Sequence, residues 1–240
     1  MTRPFTVIDC DQRSPEWLAR RAGRVTGSRA PAIFMKTQAG KPKADRKNLI
    51  LQLVLERLTD KPQERPVSGY QVRDGITREP MARFQYECLT GALLKTCGFV
   101  EDNELPIGCS PDAYVGDFEG LVSAKCPIAS THLETLLAAR TWTTLLDECG
   151  SDTAKLAALS LAKPHMDCIP EEYKYQMAHE LYCTGAWWCD YFSYHPDFPP
   201  TMQGVIIRVS RSDFDFVWYE TQLREFLSEV DQQVERVLAA

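Results

Sequence analysis

Residues 107–127, IGCSPDAYVGDFEGLVSAKCP, constrain this chain more than any other stretch. Two short apolar runs flank the turn residues GDFEG, a pattern that predicts an antiparallel pair of strands. If 120–126 is a strand, Ser123 and Lys125 share one face while Val122 and Ala124 take the other. Asp112 lies at the end of the preceding strand, across the turn. The pairing therefore gathers Asp112, position 123 and Lys125. LLKTCGFV, LPIGCSPDAYV and GLVSAKCP together predict an antiparallel meander.

The flanking segments read mainly as helices. RSPEWLARRAGRV opens with Ser14 as N-cap and Pro15 at the first helical position, and TGSRAPAIF reads as a turn opening a short second helix. RKNLILQLVLERLTD has helical apolar spacing and ends before Pro62. Residues 61–72 then read as a loop. TREPMARFQYECLTG predicts a helix with Glu79 and Pro80 in its first turn and Gly91 at its C-terminal end. HLETLLAARTWTTLLDECG is also helical in pattern. YKYQMAHELYCT gives a helix to about Thr184, followed by an aromatic-rich strand whose Trp187, Trp188, Tyr191, Phe192 and Tyr194 pack the sheet. TMQGVIIRVSRS reads as a strand. A long amphipathic helix capped at Ser212 or Asp213 closes the chain. The order predicts an α/β (α+β) fold, a mixed central β-sheet flanked by helices, in one domain over residues 1–240.

Charge is unevenly spread along the 240 residues. The net charge is −6, yet residues 1–50 hold 11 Lys and Arg against 4 Asp and Glu. A basic end on an acidic body can steer a polyanion to one face, although a solvated basic surface reads equally. Nine cysteines without a C-x-x-C pair argue against a zinc ribbon and a disulfide framework, and point to a reducing, cytoplasmic setting. His132, His165, His179 and His195 lack ligand spacing. No apolar run is long enough for a membrane span, and the N-terminus lacks a signal-peptide core.

In chemical terms, an aspartate at 112 plus an acid at 123 would hold Mg²⁺ through oxygen ligands, with waters completing the octahedron. The ion would stabilise phosphate charge and lower the pKa of an attacking water. Lys125 could orient or activate that water, or neutralise the developing charge. On these residues alone, an ordinary hairpin with a surface aspartate and lysine accounts better for the pattern.

Five ordered blocks change that reading. EWLARRAGRVTGSRAPAIF, DGITREPMARFQYECLTG, GCSPDAYVGDFEGLVSAKCP, YKYQMAHELYCTGAWWCDYFSYHP and the closing helix resemble the phage lambda exonuclease family of recombination nucleases. The resemblance implies a restriction-endonuclease-like core. It also implies a Mg²⁺-dependent 5′→3′ exonuclease acting on double-stranded DNA ends, with Mn²⁺ able to substitute. By the same resemblance Asp112 is the metal-binding aspartate, Lys125 the catalytic lysine, and Ala124 offers its backbone carbonyl to the metal. Glu79 stands beside the metal site and Gln176 in the active site. Arg21 receives the 5′-phosphate, with Ser28 of the TGS turn nearby and Trp17 and Arg24 in the same end-binding region. Residue by residue, plainer roles remain: a solvated arginine at 21, a dipole-stabilising acid at 79, a buried hydrogen-bonding amide at 176, a half-core Trp17. A homotrimeric ring around DNA and a single-strand annealing protein as partner are implied as well, the basic helical segment 1–60 contributing to end binding.

The chain departs from that pattern at one position. Ser123 stands where the family has glutamate, and a neutral hydroxyl is a poor Mg²⁺ ligand. An inactivated nuclease, a substitute ligand from Glu119, or a weaker site built on Glu79 and Asp112 are the alternatives, with rescue by Glu119 disfavoured by its place in the turn. The family's often polar position two after Gln176 is also altered, to Ala178.

Overall fold

A computed structural model describes residues 4–63 and 70–240, apart from the side chains of residues 70–74, 76, 159–161 and 164. The N-terminal strand β1 (Phe5–Ile8) leads into helix α1 (Pro15–Arg21), whose Ser14 cap accepts a hydrogen bond from the Trp17 N–H, as the sequence predicts. A two-residue strand β2 (Val25–Thr26) precedes the short α2 (Ala30–Phe34). Helix α3 (Ala44–Thr59) stops at Asp60, which takes a left-handed conformation just before Pro62.

Helix α4 (Tyr70–Thr90) starts well before the expected first turn, so Glu79 and Pro80 lie in mid-helix. Pro80 forfeits one main-chain hydrogen bond, and the helix continues past it because Ala82 and Tyr86 are driven into the core. Residues 64–69 of the loop expected over 61–72 fall outside the described residues; from Tyr70 onward the chain is helical. Gly91 ends the helix with φ +70°, its N–H bonded to the Glu87 carbonyl.

The expected meander is broken in two. Strands β3 (Phe99–Asp102) and β4 (Ile107–Cys109) join β1 and β2 in a sheet of order β1-β3-β4-β2. Strands β5 (Ala113–Val115) and β6 (Gly120–Lys125) begin a second mixed sheet, completed by β7 (Trp188–Tyr194) and β8 (Gly204–Ser210) in the order β5-β6-β7-β8. The chain passes from one sheet to the other at residues 110–112. Pro111, which has no N–H for a ladder bond, sits at that crossing. Strands β6 and β7 run parallel, Ser123 opposite Tyr191. Parallel neighbours require a long crossover. It contains α5 (Ala129–Cys149), α6 (Thr153–Ala162), which no sequence pattern announced, and α7 (Glu171–Thr184).

The second sheet buries both faces, and strand alternation sorts its residues. Val122, Ala124 and Phe192 pack against Ala82 and Tyr86 of α4. Leu121, Cys189 and Tyr191 join Met177 and Leu181 of α7 in the larger core. The aromatic strand packs the sheet as expected at Tyr191, Phe192 and Tyr194, but Trp187 is exposed because it precedes the strand. The closing helix α8 (Phe216–Leu238) is capped by Asp215 rather than Ser212 or Asp213. Ser210 and Asp213 instead form a capping box around a 3₁₀ turn at Arg211–Asp213.

Candidate active site

The register of β5 on β6 pairs Ala113 with Val122, which sets Asp112 across from Ser123. Lys125 Nζ donates to Asp112 Oδ2 at 3.0 Å, and the Ala124 N–H also reaches the Asp112 carboxylate. The N–H and carbonyl of a strand residue point to the same edge, so the Ala124 carbonyl lies on the side of Asp112. Ser123 and Lys125 alternate with Val122 and Ala124 and therefore face α7. Ser123 is fully buried, and its Oγ finds no hydrogen-bond partner. The gathering of Asp112, Ser123 and Lys125 expected from the hairpin is present. Glu119 lies at the far end of β6, where its carbonyl accepts from the Trp187 N–H.

Helix α7 brings a residue that sequence reasoning missed. Gln176 donates to Glu180 Oε1 at 2.9 Å, one helical turn away. Glu180 is 2% exposed, and its other oxygen, Oε2, has no partner. The available signal was an acid four residues after Gln176 in a segment that is buried without a break from Met177 to Thr184. A buried acid almost always has a pairing or functional reason. Ala178, by contrast, is packed in the apolar core.

The residues expected to bind DNA ends assemble only in part. The Arg21 guanidinium lies over the Trp17 ring at 4.1 Å and donates to Ser28 Oγ at 3.1 Å. Trp17 Nε1 donates to Ser110 Oγ at 2.8 Å, which fixes the ring against the crossing between the sheets. The TGS turn abuts α7: a Cβ on Gly27 would meet Glu180 Oε1 at 3.0 Å and Gln176 Cγ at 3.4 Å. Behind it, Arg29 forks onto Glu56 of α3 at 2.7 and 2.9 Å. Arg24 is drawn instead onto Glu101 of β3. Much of the basic N-terminal charge is matched in this way, since Arg13 pairs with Glu79 and Arg46 with Glu229. Helix α2 has only five residues, too few for a strong terminal dipole. Glu79 is held by Arg13 at 3.1 Å and Arg83 at 2.6 Å.

Electrostatics tie these groups together. Burial raises the Asp112 carboxyl above its ordinary range, Lys125 opposes the shift and Glu79 adds to it. Burial pushes Glu180 up to about 7, and the charge of Asp112 contributes. Burial alone would lower Lys125, but Asp112 and Glu180 more than offset it and its ammonium is held charged. Among the described residues, no three Asp, Glu, His or Cys side chains already converge as a metal cage. The site instead presents oxygen donors of the hard, carboxylate and carbonyl type, which suits Mg²⁺ or Mn²⁺ bound largely through water.

The family described as YqaJ-like viral recombinase domain matches residues 16–187. The chain belongs to the YqaJ-like viral recombinase family. Alkaline exonuclease LHK-Exo from Laribacter hongkongensis shares its fold at TM-score 0.73 and 29% identity, over 94% of this chain and 97% of that one. LHK-Exo in complex with dAMP matches at TM-score 0.73 and 30% identity, over 93% and 96%. A phage related exonuclease from Haemophilus somnus 129PT shares the fold at TM-score 0.59 and 14% identity, over 90% and 95%. No curated protein matches the sequence. The kinship and the mixed α+β architecture expected from the sequence are borne out, with the strands of this YqaJ-like chain divided over two mixed sheets. Among the described residues no helix is long and apolar enough to cross a membrane.

Proposed function

We propose that this chain is a Mg²⁺-dependent 5′→3′ exonuclease that acts on double-stranded DNA ends and leaves 3′ single-stranded overhangs for annealing-based recombination. The observation that carries the reading is the Asp112–Lys125 pair on the strand edge facing α7, 3.0 Å apart, in a chain of this family. The similarity to an alkaline exonuclease over nearly the whole chain supports it.

Asp112 and the Ala124 carbonyl would hold the divalent ion, which when bound supplies charge to the scissile phosphate and an acidified water. Lys125, held protonated by Asp112 and Glu180, donates to the phosphate oxygens and neutralises their charge; it is not the base that takes the water's proton. Arg21, stacked on Trp17 and braced by Ser28, receives the terminal 5′-phosphate through its guanidinium fork. Gln176 orients the Glu180 carboxylate, and Glu79, held by Arg13 and Arg83, adds negative charge beside Asp112. On the family resemblance we also propose a cytoplasmic homotrimeric ring around the duplex that hands its product to a single-strand annealing protein.

Ser123 favours a second reading, a protein that grips DNA ends without cutting them. Linear 5′-phosphorylated duplex, incubated with Mg²⁺ or Mn²⁺, separates the two. Release of mononucleotides that is abolished by Asp112→Asn supports the exonuclease. Salt-dependent binding to ends without hydrolysis supports the second reading.

A further inference from the structure

We propose that Glu180 of helix α7 supplies the carboxylate that strand β6 lacks at Ser123, so that the divalent-cation site is assembled from Asp112 on one sheet edge and Glu180 on the facing helix. The inference rests on the nuclease reading and names a ligand for the same site.

Three observations converge on it. First, strand alternation turns Ser123 toward α7, the helix that carries Glu180. A carboxylate at 123 and one at 180 would enter the same space from opposite walls. Second, each of these two residues buries a polar atom without a partner, Ser123 Oγ and Glu180 Oε2, on residues 0% and 2% exposed. Burying a carboxylate oxygen with nothing to bond is costly, so such an atom calls for a ligand. Third, the carboxylate is already aimed. Gln176 holds Oε1 at 2.9 Å, leaving Oε2 as the open donor, and the TGS turn packs close on the same carboxylate, where a Cβ on Gly27 would stand 3.0 Å from Oε1.

The chemistry of the exchange is consistent. A serine removes one negative charge from the strand, and Glu180 restores one to the cavity, so the count of anionic ligands is preserved. A glutamate at 123 alongside Glu180 would crowd three acids around Lys125. The small hydroxyl at 123 is therefore the complement of the helix acid.

The test is Mn²⁺ binding by calorimetry on the full chain, read beside nuclease activity, for the parent, Glu180→Gln, Ser123→Glu, the double variant, and Asp112→Asn. The expected result is that Glu180→Gln weakens Mn²⁺ binding by roughly 100-fold or more, beyond what a lost supporting contact costs. Adding Ser123→Glu to it should recover both binding and hydrolysis. The proposal is overturned if Glu180→Gln binds Mn²⁺ like the parent, or if the double variant stays as weak as the single one. It is also overturned, with the nuclease reading intact, if the parent binds no Mn²⁺ until Ser123→Glu is introduced. If neither the parent nor Ser123→Glu binds the ion or cuts DNA, the nuclease reading fails too. Should Glu180→Gln not fold, Glu180→Asp replaces it, with weakened binding again recovered by Ser123→Glu.

Discussion

Arg29 and Glu56 form a two-pronged ion pair at 2.7 and 2.9 Å, with both side chains buried. Glu56 also accepts the Gly23 N–H at 2.8 Å, so a single acid of α3 ties down the loop that leads into the TGS turn. Removing one partner of a buried pair strands the other charge. Glu56→Ala is expected to destabilise the protein by about 3–5 kcal/mol, as measured by denaturant unfolding. Unchanged stability would mean that Arg29 finds water instead.

Arg21 is expected to discriminate DNA ends rather than to cut them. Its guanidinium is oriented by Trp17 and Ser28. Charge-assisted hydrogen bonds contribute about 1.5–3 kcal/mol, so Arg21→Ala should lower kcat/KM on 5′-phosphorylated duplex by roughly 10- to 100-fold. Activity on 5′-hydroxyl ends should change little. Equal losses on both substrates would refute the assignment.

Gly27 is a position where space, rather than backbone conformation, decides. An alanine Cβ would stand 3.0 Å from Glu180 Oε1 and 3.4 Å from Gln176 Cγ. Gly27→Ala is expected to displace the Glu180 carboxylate and slow hydrolysis by ~10-fold or more while leaving the circular dichroism spectrum intact. Full activity in the purified variant would show that the turn yields without moving Glu180.

The pH dependence of metal-free stability reports on Glu180. Its carboxyl is pushed up to about 7 by burial and by Asp112. An acid with a raised folded pKa is most compatible with the fold when protonated. Its destabilising contribution is absent below the ordinary carboxylate range and grows as pH rises toward about 7. In a chelator, Glu180→Gln should therefore exceed the parent in stability at pH 8, by on the order of 2–3 kcal/mol, and match it near pH 4. Thermal unfolding at the two pH values checks the sign. A parent that is the more stable at pH 8 would contradict it.

Most elements were legible because their signals are local. Ser14 and Pro15 mark the start of α1, Gly91 the end of α4, and the GDFEG turn the β5–β6 pair. The start of α4 was misplaced because Pro80 reads as a first-turn residue, whereas burial of Ala82 and Tyr86 carries the helix across it. The break between β4 and β5 was hidden because both strands are short and apolar, and which sheet a strand joins depends on distant partners. Asp112 and Lys125 could be paired from alternation alone. Glu180 offers only its place one helical turn after Gln176, and which face of α7 meets β6 depends on partners distant in sequence.

The parallel pairing of β6 with β7 also bears on how the chain reaches its fold. The strand carrying Ser123 and Lys125 has only the three-residue β5 beside it until Trp188 and its neighbours have been synthesised. At ribosomal rates of ~5–20 residues per second, an apolar edge therefore waits several seconds for its partner. Contacts that distant in sequence also form slowly in refolding. The segment most exposed to misassembly is thus the one that carries the candidate chemistry, and soluble yield should improve with slower synthesis at low temperature.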